Sequence, residues 1–239
     1  MAKNIALIMM GGIGSRCKNI IPKQFIKINN IPIFYYLLNG LNELKEIDNI
    51  IIVVNSNWIN YTSEVCRKLP KSKIVDIVSG GASRSESVLN GLKATKNIAN
   101  DDDIVMLFDA THPYVDPKGI KELILAVKTF GGATLGQRQY DTCYRINNND
   151  MLEEVIPRQE IVSGASPEAF LFKTIFNIYE NSSKEELEKM TSAGALALAH
   201  NIPMKICTLN NINLKITYPE DVEILQHLIT YNFKEELKI

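Results

Sequence analysis

The chain has 239 residues, of which 46% are hydrophobic and 22% charged, and its 27 acidic residues outnumber its 26 basic residues by one. These proportions are typical of a soluble globular protein, and the near-neutral balance excludes a broad positive field for nucleic acid or an anionic membrane. No apolar run reaches the roughly 18 to 20 residues that span a bilayer, and no export signal is recognisable. We therefore expect a cytoplasmic protein with no nucleic-acid or membrane partner.

Short apolar runs alternate with segments of helical period, which is the βαβ pattern of an α/β protein with a mostly parallel sheet between helices. The predicted strands are 5–10, 50–54, 74–78, 104–108, 133–135, 203–207 and 214–217. The predicted helices are 33–44, 58–69, 84–95, 117–129 and 219–230. No linker or repeat interrupts this pattern, so we expect one domain over residues 1–239.

The segment 137–160, which we name the arm, breaks the alternation. It contains no amphipathic helix, and its sequence Asn-Asn-Asn-Asp at 147–150 is a turn signal between two extended stretches. We expect a hairpin that projects from the body. Because a two-stranded ribbon is only marginally stable in water, it needs a surface to pack on, and a second copy of the chain is an economical candidate. The arm therefore predicts a homodimer.

Cysteine and histidine spacing gives no metal motif. The four cysteines, at 17, 66, 143 and 207, are too far apart for a zinc knuckle or a dense disulfide framework, and the three histidines have no ligand spacing. We expect reduced thiols, and any metal to be a hard cation that arrives with a substrate.

The first strand leads into a glycine-rich turn with the sequence Met-Gly-Gly-Ile-Gly-Ser-Arg at 10–16. Glycines let backbone N–H groups approach a phosphate chain, although this turn is neither a Walker A loop nor GxGxxG, because Cys17 holds the third glycine position. Arg16 and Lys23 follow, and their charges suit a triphosphate and departing pyrophosphate. The alternative is a structural turn with solvated basic residues.

Three further features lie near the predicted carboxyl ends of strands, where ligands of open α/β sheets bind. The turn at 79–87 suits contact with a base or ribose, or is simply capped by a serine at the following helix. Asp109 is suited to hold Mg²⁺ on phosphate oxygens, or else caps the turn before Pro113. Lys215, in an apolar run, either emerges at a strand tip or meets an anion.

Six blocks occur along the chain in a familiar order. They are Gly-Gly-x-Gly-x-Arg with Pro22-Lys23-Gln24, Gly80-Gly81 with Arg84 and Ser87-Val88, Asp109 with Pro113, Asp141-Thr142, Arg158 with Ser166-Pro167 and Phe170, and Asn213-Leu214-Lys215-Ile216-Thr217 with Pro219-Glu220-Asp221. This order resembles the CTP:polyol-phosphate cytidylyltransferase family, whose members include the 2-C-methyl-D-erythritol 4-phosphate and ribitol 5-phosphate cytidylyltransferases. The match covers essentially the whole chain.

The resemblance implies a Rossmann-like fold of the nucleotide-diphospho-sugar transferase type with a projecting β-arm. It also implies a homodimeric, Mg²⁺-dependent enzyme in which a polyol phosphate attacks the α-phosphorus of CTP and releases pyrophosphate. On the nucleotide side, the resemblance assigns Gly11, Gly12 and Gly14 to the triphosphate loop, and Gly81, Arg84 and Ser87 to the binding of cytidine. It assigns Arg16, Lys23 and Lys215 to catalysis. It assigns Asp109 and Ala110 to the binding of the nucleotide, and Asp109 also to the metal. On the acceptor side it assigns His112, Thr142, Arg158 and Ser166, with Thr142 and Arg158 reaching into the neighbouring subunit.

Departures from the family pattern fall mainly on the acceptor side. His112 stands in place of an arginine, Glu168 in place of a glutamine, Ser192 in place of an aspartate and Ile212 in place of an acid that isoprenoid-pathway members often have. Trp58, the 156–158 segment and Ile212 favour D-ribitol 5-phosphate as acceptor, for a cell-surface polysaccharide. The alternative is 2-C-methyl-D-erythritol 4-phosphate, for isoprenoid synthesis. A second alternative is a non-catalytic nucleotide-binding homologue, which the full set of charges argues against.

Overall fold

The computed structural model describes residues 2–12, 21–210 and 212–230. The strands in these ranges are β1 (Asn4–Met10), β2 (Lys27–Ile28), β3 (Ile31–Pro32), β4 (Asn49–Val54), β5 (Ile74–Ser79), β6 (Ile104–Asp109), β7 (Gly132–Arg138), β8 (Cys143–Ile146), β9 (Leu152–Ile156), β10 (Val162–Leu171) and β11 (Met204–Thr208). The helices are α1 (Ile33–Glu43), α2 (Ile59–Cys66), α3 (Arg84–Lys96), α4 (Pro117–Phe130), α5 (Phe172–Asn181), α6 (Lys184–Lys189), α7 (Ala193–Ala199) and α8 (Pro219–Thr230).

The central sheet has seven strands in the order β11-β7-β10-β6-β1-β4-β5. Strand β1 lies parallel to both neighbours, with Ile8 opposite Ile52 of β4 and Phe108 of β6. Only β10 runs antiparallel, between β6 and β7. The chain moves from β1 to β4 and β5 on one side and returns to β6 on the other, so the strand order reverses at β1. Ligands of open α/β sheets bind in the crevice at such a switch point.

Helices cover both faces of this sheet, which the continuous apolar sequences of its central strands require. Along β1 the alternation is complete: Ile5, Leu7 and Met9 pack against α3 and α5, whereas Ala6, Ile8 and Met10 pack against α1 and α4. Burying each large side chain contributes roughly 1.5 to 3 kcal/mol. The core therefore holds β1 rigidly beneath the turn that follows it.

Most predicted elements are confirmed, and one is wrong. The predicted strand 214–217 does not form: Ile216 is buried, but its N–H donates to the carbonyl of Thr111 (2.9 Å) rather than to a sheet neighbour. Strand β10 was missed because its sequence contains Gly164, Ser166 and Pro167, which are poor strand formers. The structure accommodates them with a register shift against β7 between Gly164 and Glu168. Helices α5, α6 and α7 were also missed.

The arm is a hairpin, as predicted. Strands β8 and β9 pair antiparallel and form a two-stranded sheet of their own. The turn between them is fixed by the side chain of Asn147, whose Oδ1 accepts from the N–H groups of Asn149 (2.9 Å) and Met151 (3.2 Å).

None of the helices in the described ranges is long and apolar enough to cross a membrane.

Candidate active site

The carboxyl ends of β1, β4, β5 and β6 border a cavity of about 590 Å³. Its lining comes from the two glycine turns, the 3₁₀ helix Lys23–Phe25, the end of β6 and the segment that precedes α8: Met9, Met10, Gly11, Gly12, Lys23, Gln24, Asn55, Gly81, Ala82, Ser83, Arg84, Ser87, Asp109, Ala110, Thr111 and Lys215. Segments far apart in sequence thus meet at the crevice that the strand order predicts. Gly14 and Arg16, assigned to this site from sequence, lie outside the described residues.

The two glycine turns pack against each other. A Cβ on Gly11 would lie 2.8 Å from the hydroxyl oxygen of Ser87, and one on Gly80 would lie 2.9 Å from the same atom. Both positions therefore require glycine for packing. Gly12 differs, because a Cβ there would meet nothing within 4 Å among the residues that the structure describes. Gly12 also borders the cavity, and its missing side chain lets a ligand approach the backbone closely, as a phosphate-binding loop requires.

The second turn is both a helix cap and part of the cavity wall. The hydroxyl of Ser83 accepts from the N–H of Glu86 (3.1 Å) and begins α3, as the capping alternative predicted. The hydroxyl of Ser87 accepts from the N–H of Gly81 (3.0 Å) and donates to the carbonyl of Ser83 (2.8 Å). These bonds fix the turn in a form that exposes Arg84 to the cavity.

Asp109 and Lys215 form an ion pair in the cavity wall, with 2.9 Å between Oδ2 and Nζ. Lys215 therefore meets an anion, which was one of the two outcomes expected from sequence. The other carboxylate oxygen of Asp109 accepts from the N–H (3.1 Å) and hydroxyl (2.8 Å) of Thr111. Burial raises the pKa of Asp109, but attraction to Lys215 and His112 outweighs burial and holds that pKa well below its usual range. The carboxylate is ionised at neutral pH.

His112 lies beside this pair and is neutral at pH 7. Burial lowers its pKa to about 4, and the charges of Lys215, Lys23 and Arg84 act in the same direction, whereas Asp109 opposes them. Its Nδ1 lies 4.0 Å from Asp109 Oδ2 and has no hydrogen-bond partner within the described ranges. His112 thus brings no positive charge to the site, unlike the arginine usual in the family.

A single carboxylate is suited to a metal that arrives with phosphate. The described residues contain no group of three or more histidine, cysteine or acidic side chains placed to hold an ion. Mg²⁺ is usually bound by one or two carboxylates, with substrate phosphates and water supplying the remaining oxygens. Asp109, at the cavity and ionised, matches the carboxylate part of that requirement.

The residues assigned to the acceptor divide into two groups. Ser166 lies against β6, where its hydroxyl accepts from the N–H of Asp109 (3.0 Å). Neither Ser166 nor His112 is among the residues that line the cavity, and Thr142 and Arg158, which lie in the arm, do not line it either. Arg158 donates to the carbonyl of Tyr140 (2.6 Å). The expectation that Thr142 and Arg158 serve a neighbouring subunit therefore stays a prediction.

One departure from the family pattern, Glu168, and one indicator of the acceptor, Trp58, have structural explanations. Glu168 accepts from the N–H groups of Ala193 (3.1 Å) and Gly194 (2.9 Å), so it supplies negative charge to the amino end of α7, where Ser192 brings none. Trp58 stacks on Phe25 with 4.1 Å between ring centroids and supports the turn that carries Lys23. Trp58 is thus a packing residue, and its contacts in the structure do not involve an acceptor.

Gln24 and Asn55 were missed as site residues. Gln24 stands in the Pro-Lys-Gln block, but its contacts with the first turn connect residues 12 or more positions apart, which sequence alone does not reveal. Asn55 follows β4, and its Oδ1 accepts from the N–H of Asn57 (3.0 Å). The sequence did contain a signal for Asn55: it directly follows a predicted buried strand, and ligands of open α/β sheets bind at the carboxyl ends of strands.

An open α/β sheet with two glycine turns, cations and an ionised carboxylate at its switch point has the features of a nucleotide-binding protein, in which glycine turns and positive charges hold phosphates. Comparison with known proteins narrows this class. The family model for 2-C-methyl-D-erythritol 4-phosphate cytidylyltransferase matches residues 4–231, and the chain belongs to that family. A relative of the same name from Clostridium novyi (strain NT) is 31% identical over 231 residues, which are 96% of this chain and 97% of the relative.

Solved structures support the fold. The 4-diphosphocytidyl-2C-methyl-D-erythritol synthase of Anaerococcus prevotii DSM 20548 superposes with a TM-score of 0.79 at 21% identity and covers 96% of each chain. The 2-C-methyl-D-erythritol 4-phosphate cytidylyltransferase of Francisella tularensis gives 0.76 at 23% identity, over 95% of this chain and 99% of that one. The α/β fold expected from sequence is confirmed.

The protein is therefore a CTP-dependent cytidylyltransferase, and the alternative of a non-catalytic homologue finds no support. Of the two acceptors considered from sequence, the comparisons favour 2-C-methyl-D-erythritol 4-phosphate. The preference for D-ribitol 5-phosphate, and with it the assignment to polysaccharide synthesis, finds no support. The indicators for that preference were few, and one of them, Trp58, belongs to the packing beneath Lys23.

Proposed function

We propose that this enzyme transfers the cytidylyl group of CTP to 2-C-methyl-D-erythritol 4-phosphate in isoprenoid synthesis. The observation that carries the proposal is a cavity in which Lys23, Lys215 and Asp109 surround the first glycine turn, in a chain that matches the family of that name over residues 4–231. In the reaction a phosphate oxygen of the acceptor attacks the α-phosphorus of CTP. The bond to the β-phosphate breaks, and pyrophosphate leaves.

The residues of the cavity act by positioning and by neutralising charge, so no nucleophilic side chain is required. The open backbone at Gly12 receives the phosphate chain, and Lys23, together with Arg16 by resemblance, stabilises the charge that develops on departing pyrophosphate. The turn at Gly81, Arg84 and Ser87 holds cytidine. Mg²⁺, bound to Asp109 and to the triphosphate, would supply further charge neutralisation.

Lys215 is placed to serve the reacting phosphates. Its ammonium lies 2.9 Å from Asp109, at the cavity wall, so the charge of each is balanced before substrates bind. Asp109 would hold the cation that accompanies a triphosphate, and Lys215, beside it, is placed to contact phosphate. The ion pair thus places Asp109 and Lys215 together at the reacting centre.

The arm supports a homodimer. It exposes large apolar side chains along a ribbon that has no second layer of its own, including Met151 (64% exposed), Leu152 (65%) and Val155 (62%). A patch of this kind on a two-stranded sheet is typical of a protein–protein contact. In the proposed dimer, Thr142 and Arg158 reach the acceptor site of the neighbouring subunit.

Pyrophosphate release tests the acceptor. The purified protein would be assayed with CTP and Mg²⁺ and, in turn, 2-C-methyl-D-erythritol 4-phosphate, D-ribitol 5-phosphate and glycerol 3-phosphate. We expect release with the first alone, and an Asp109→Asn variant prepared in parallel controls for contaminating activity. Release with D-ribitol 5-phosphate in preference to the first would overturn the proposed acceptor while leaving the CTP chemistry intact.

A further inference from the structure

Three consecutive residues that follow the first glycine turn point in three directions. Lys23, Gln24 and Phe25 form a 3₁₀ helix, in which three residues complete one turn and successive side chains diverge by about 120°. Lys23 and Gln24 both border the cavity, and Phe25 is buried. The ring of Phe25 stacks on Trp58, with 4.1 Å between centroids, and meets Phe34 edge-on at 5.7 Å. The helix is therefore anchored to the core on one side.

The third direction belongs to Gln24, which is only 4% exposed. Its Nε2 donates to the carbonyl of Met10 (2.9 Å) and to the carbonyl of Gly12 (2.9 Å). Both partners are acceptors only, so the NH₂ end of the carboxamide must face them. One side-chain nitrogen thus bridges the two carbonyls on either side of Gly11.

This bridge fixes the part of the turn that borders the cavity. Carbonyl oxygens carry partial negative charge, and a carbonyl that faced a phosphate would repel it. With both oxygens engaged by Gln24, neither is free to turn toward an anion in the cavity. The backbone around Gly11 and Gly12 is therefore held ready for a phosphate chain, which lowers the cost of ordering it when the nucleotide binds.

We infer that Gln24 is the positioning residue of the triphosphate loop: its carboxamide holds the backbone around Gly11 in the form that accepts the phosphates of CTP. Because Gln24 and Lys23 share one anchored turn, the loop and the cation that follows it are placed by the same short element. The inference concerns the nucleotide side and does not depend on the proposed acceptor.

The test replaces the donor by an acceptor of the same shape. In Gln24→Glu at pH 8, a carboxylate would face the carbonyls of Met10 and Gly12 and repel them. We expect calorimetry with Mg²⁺ to give a Kd for CTP at least tenfold higher than in the unmodified protein. The Kd for cytidine, which has no phosphates, should change less than twofold, because the turn at Gly81 is untouched.

The pH dependence of this defect separates positioning from damage to the fold. Burial beside two carbonyls raises the pKa of the introduced carboxyl, and its protonated form donates one hydrogen bond. The CTP defect of Gln24→Glu should therefore shrink severalfold between pH 8 and pH 6. Gln24→Met, which is uncharged and has no donor, should show a smaller defect without that pH dependence, and it serves if Gln24→Glu does not fold.

The matched control is Asn4, which lies at the start of β1, whereas Met10, the partner of Gln24, lies at its end. Asn4 Nδ2 donates to the carbonyl of Glu46 (2.8 Å), so Asn4→Asp makes the same chemical change away from the cavity. It should leave the Kd for CTP unchanged even where it lowers the melting temperature. Three results would each overturn the inference. The first is an equal loss of affinity for CTP and for cytidine in the Gln24 variants, and the second is an unchanged Kd for CTP in both of these variants. The third is an unmodified protein that binds CTP no more tightly than cytidine.

Discussion

The nucleotide side and the acceptor side of this enzyme are built differently. On the nucleotide side, short turns at strand ends are fixed by hydrogen bonds of the Gln24 side chain to the first turn and of the Ser87 side chain within the second, and by the core beneath β1. On the acceptor side, Thr142 and Arg158 belong to the arm, which forms its own two-stranded sheet. The described residues assigned to the nucleotide meet at one cavity of a single chain, whereas the proposed role of Thr142 and Arg158 needs a neighbouring subunit.

The largest effect is expected at Lys23. Removal of one preorganised charge in Lys23→Ala should lower kcat by on the order of 10² to 10³, because it acts where pyrophosphate charge develops. Steady-state turnover with CTP and the proposed acceptor would measure the loss. Lys128→Ala, on the exposed face of α4, is the matched control and should keep full activity. Retained turnover in Lys23→Ala would contradict a role in the transition state.

His112 lies where the two sides meet and makes stability depend on pH. The unfolded chain binds the proton with an ordinary pKa of 6.5, whereas the folded chain binds it only near pKa 4. Between these values the unfolded state holds more protons, so stability falls as the pH is lowered from about 6.5 to 4. From the size of the pKa shift, His112 lowers the free energy of unfolding by about 3 kcal/mol across this range of pH.

Urea unfolding at several pH values checks this dependence. The unmodified protein should lose stability across the window, and His112→Leu should lack that part of the slope, whatever its stability at neutral pH. Lys128→Ala, on the exposed face of α4, is the control and should retain the slope. A slope that survives in His112→Leu would show that another group titrates there.

Arg158 tests whether the acceptor side crosses a dimer. Arg158→Ala should raise the KM for the acceptor roughly tenfold, as loss of one charge-assisted phosphate contact does, and leave the KM for CTP unchanged. Mixing it with Lys23→Ala after dissociation and reassociation, with the assay at an acceptor concentration well below the KM of the unmodified protein, should restore about a quarter of the unmodified activity, because half of the dimers are mixed and each has one intact site. Absence of rescue would place Arg158 in its own subunit or outside the site.

The sequence signals for the nucleotide side are local, and the structure brings most of the residues that they name to one cavity. The alternation of β1, the glycines after it, the capped turn before α3 and the acid at the end of β6 each lie within a few consecutive residues. Prediction from sequence failed where partners are distant: β10 contains Gly164 and Pro167 and is a strand only because β6 and β7 flank it. The buried Ile216 gave the pattern of a strand, but it packs against Ile33 and Leu225 instead.

The smallest effect is expected at Ser83, the cap of α3. Ser83→Ala removes the hydrogen bond to the N–H of Glu86 and should lower stability by about 1 kcal/mol. Ser192 caps α7 with the same geometry, its hydroxyl accepting from the N–H of Ala195 (3.1 Å), so Ser192→Ala should cost a similar amount. Only Ser83→Ala should also raise the KM for CTP, by about threefold, because α3 begins at Arg84 in the cavity wall. Equal effects of the two variants on CTP would mean that the cap acts through global stability, and that the nucleotide side is less self-contained than its contacts indicate.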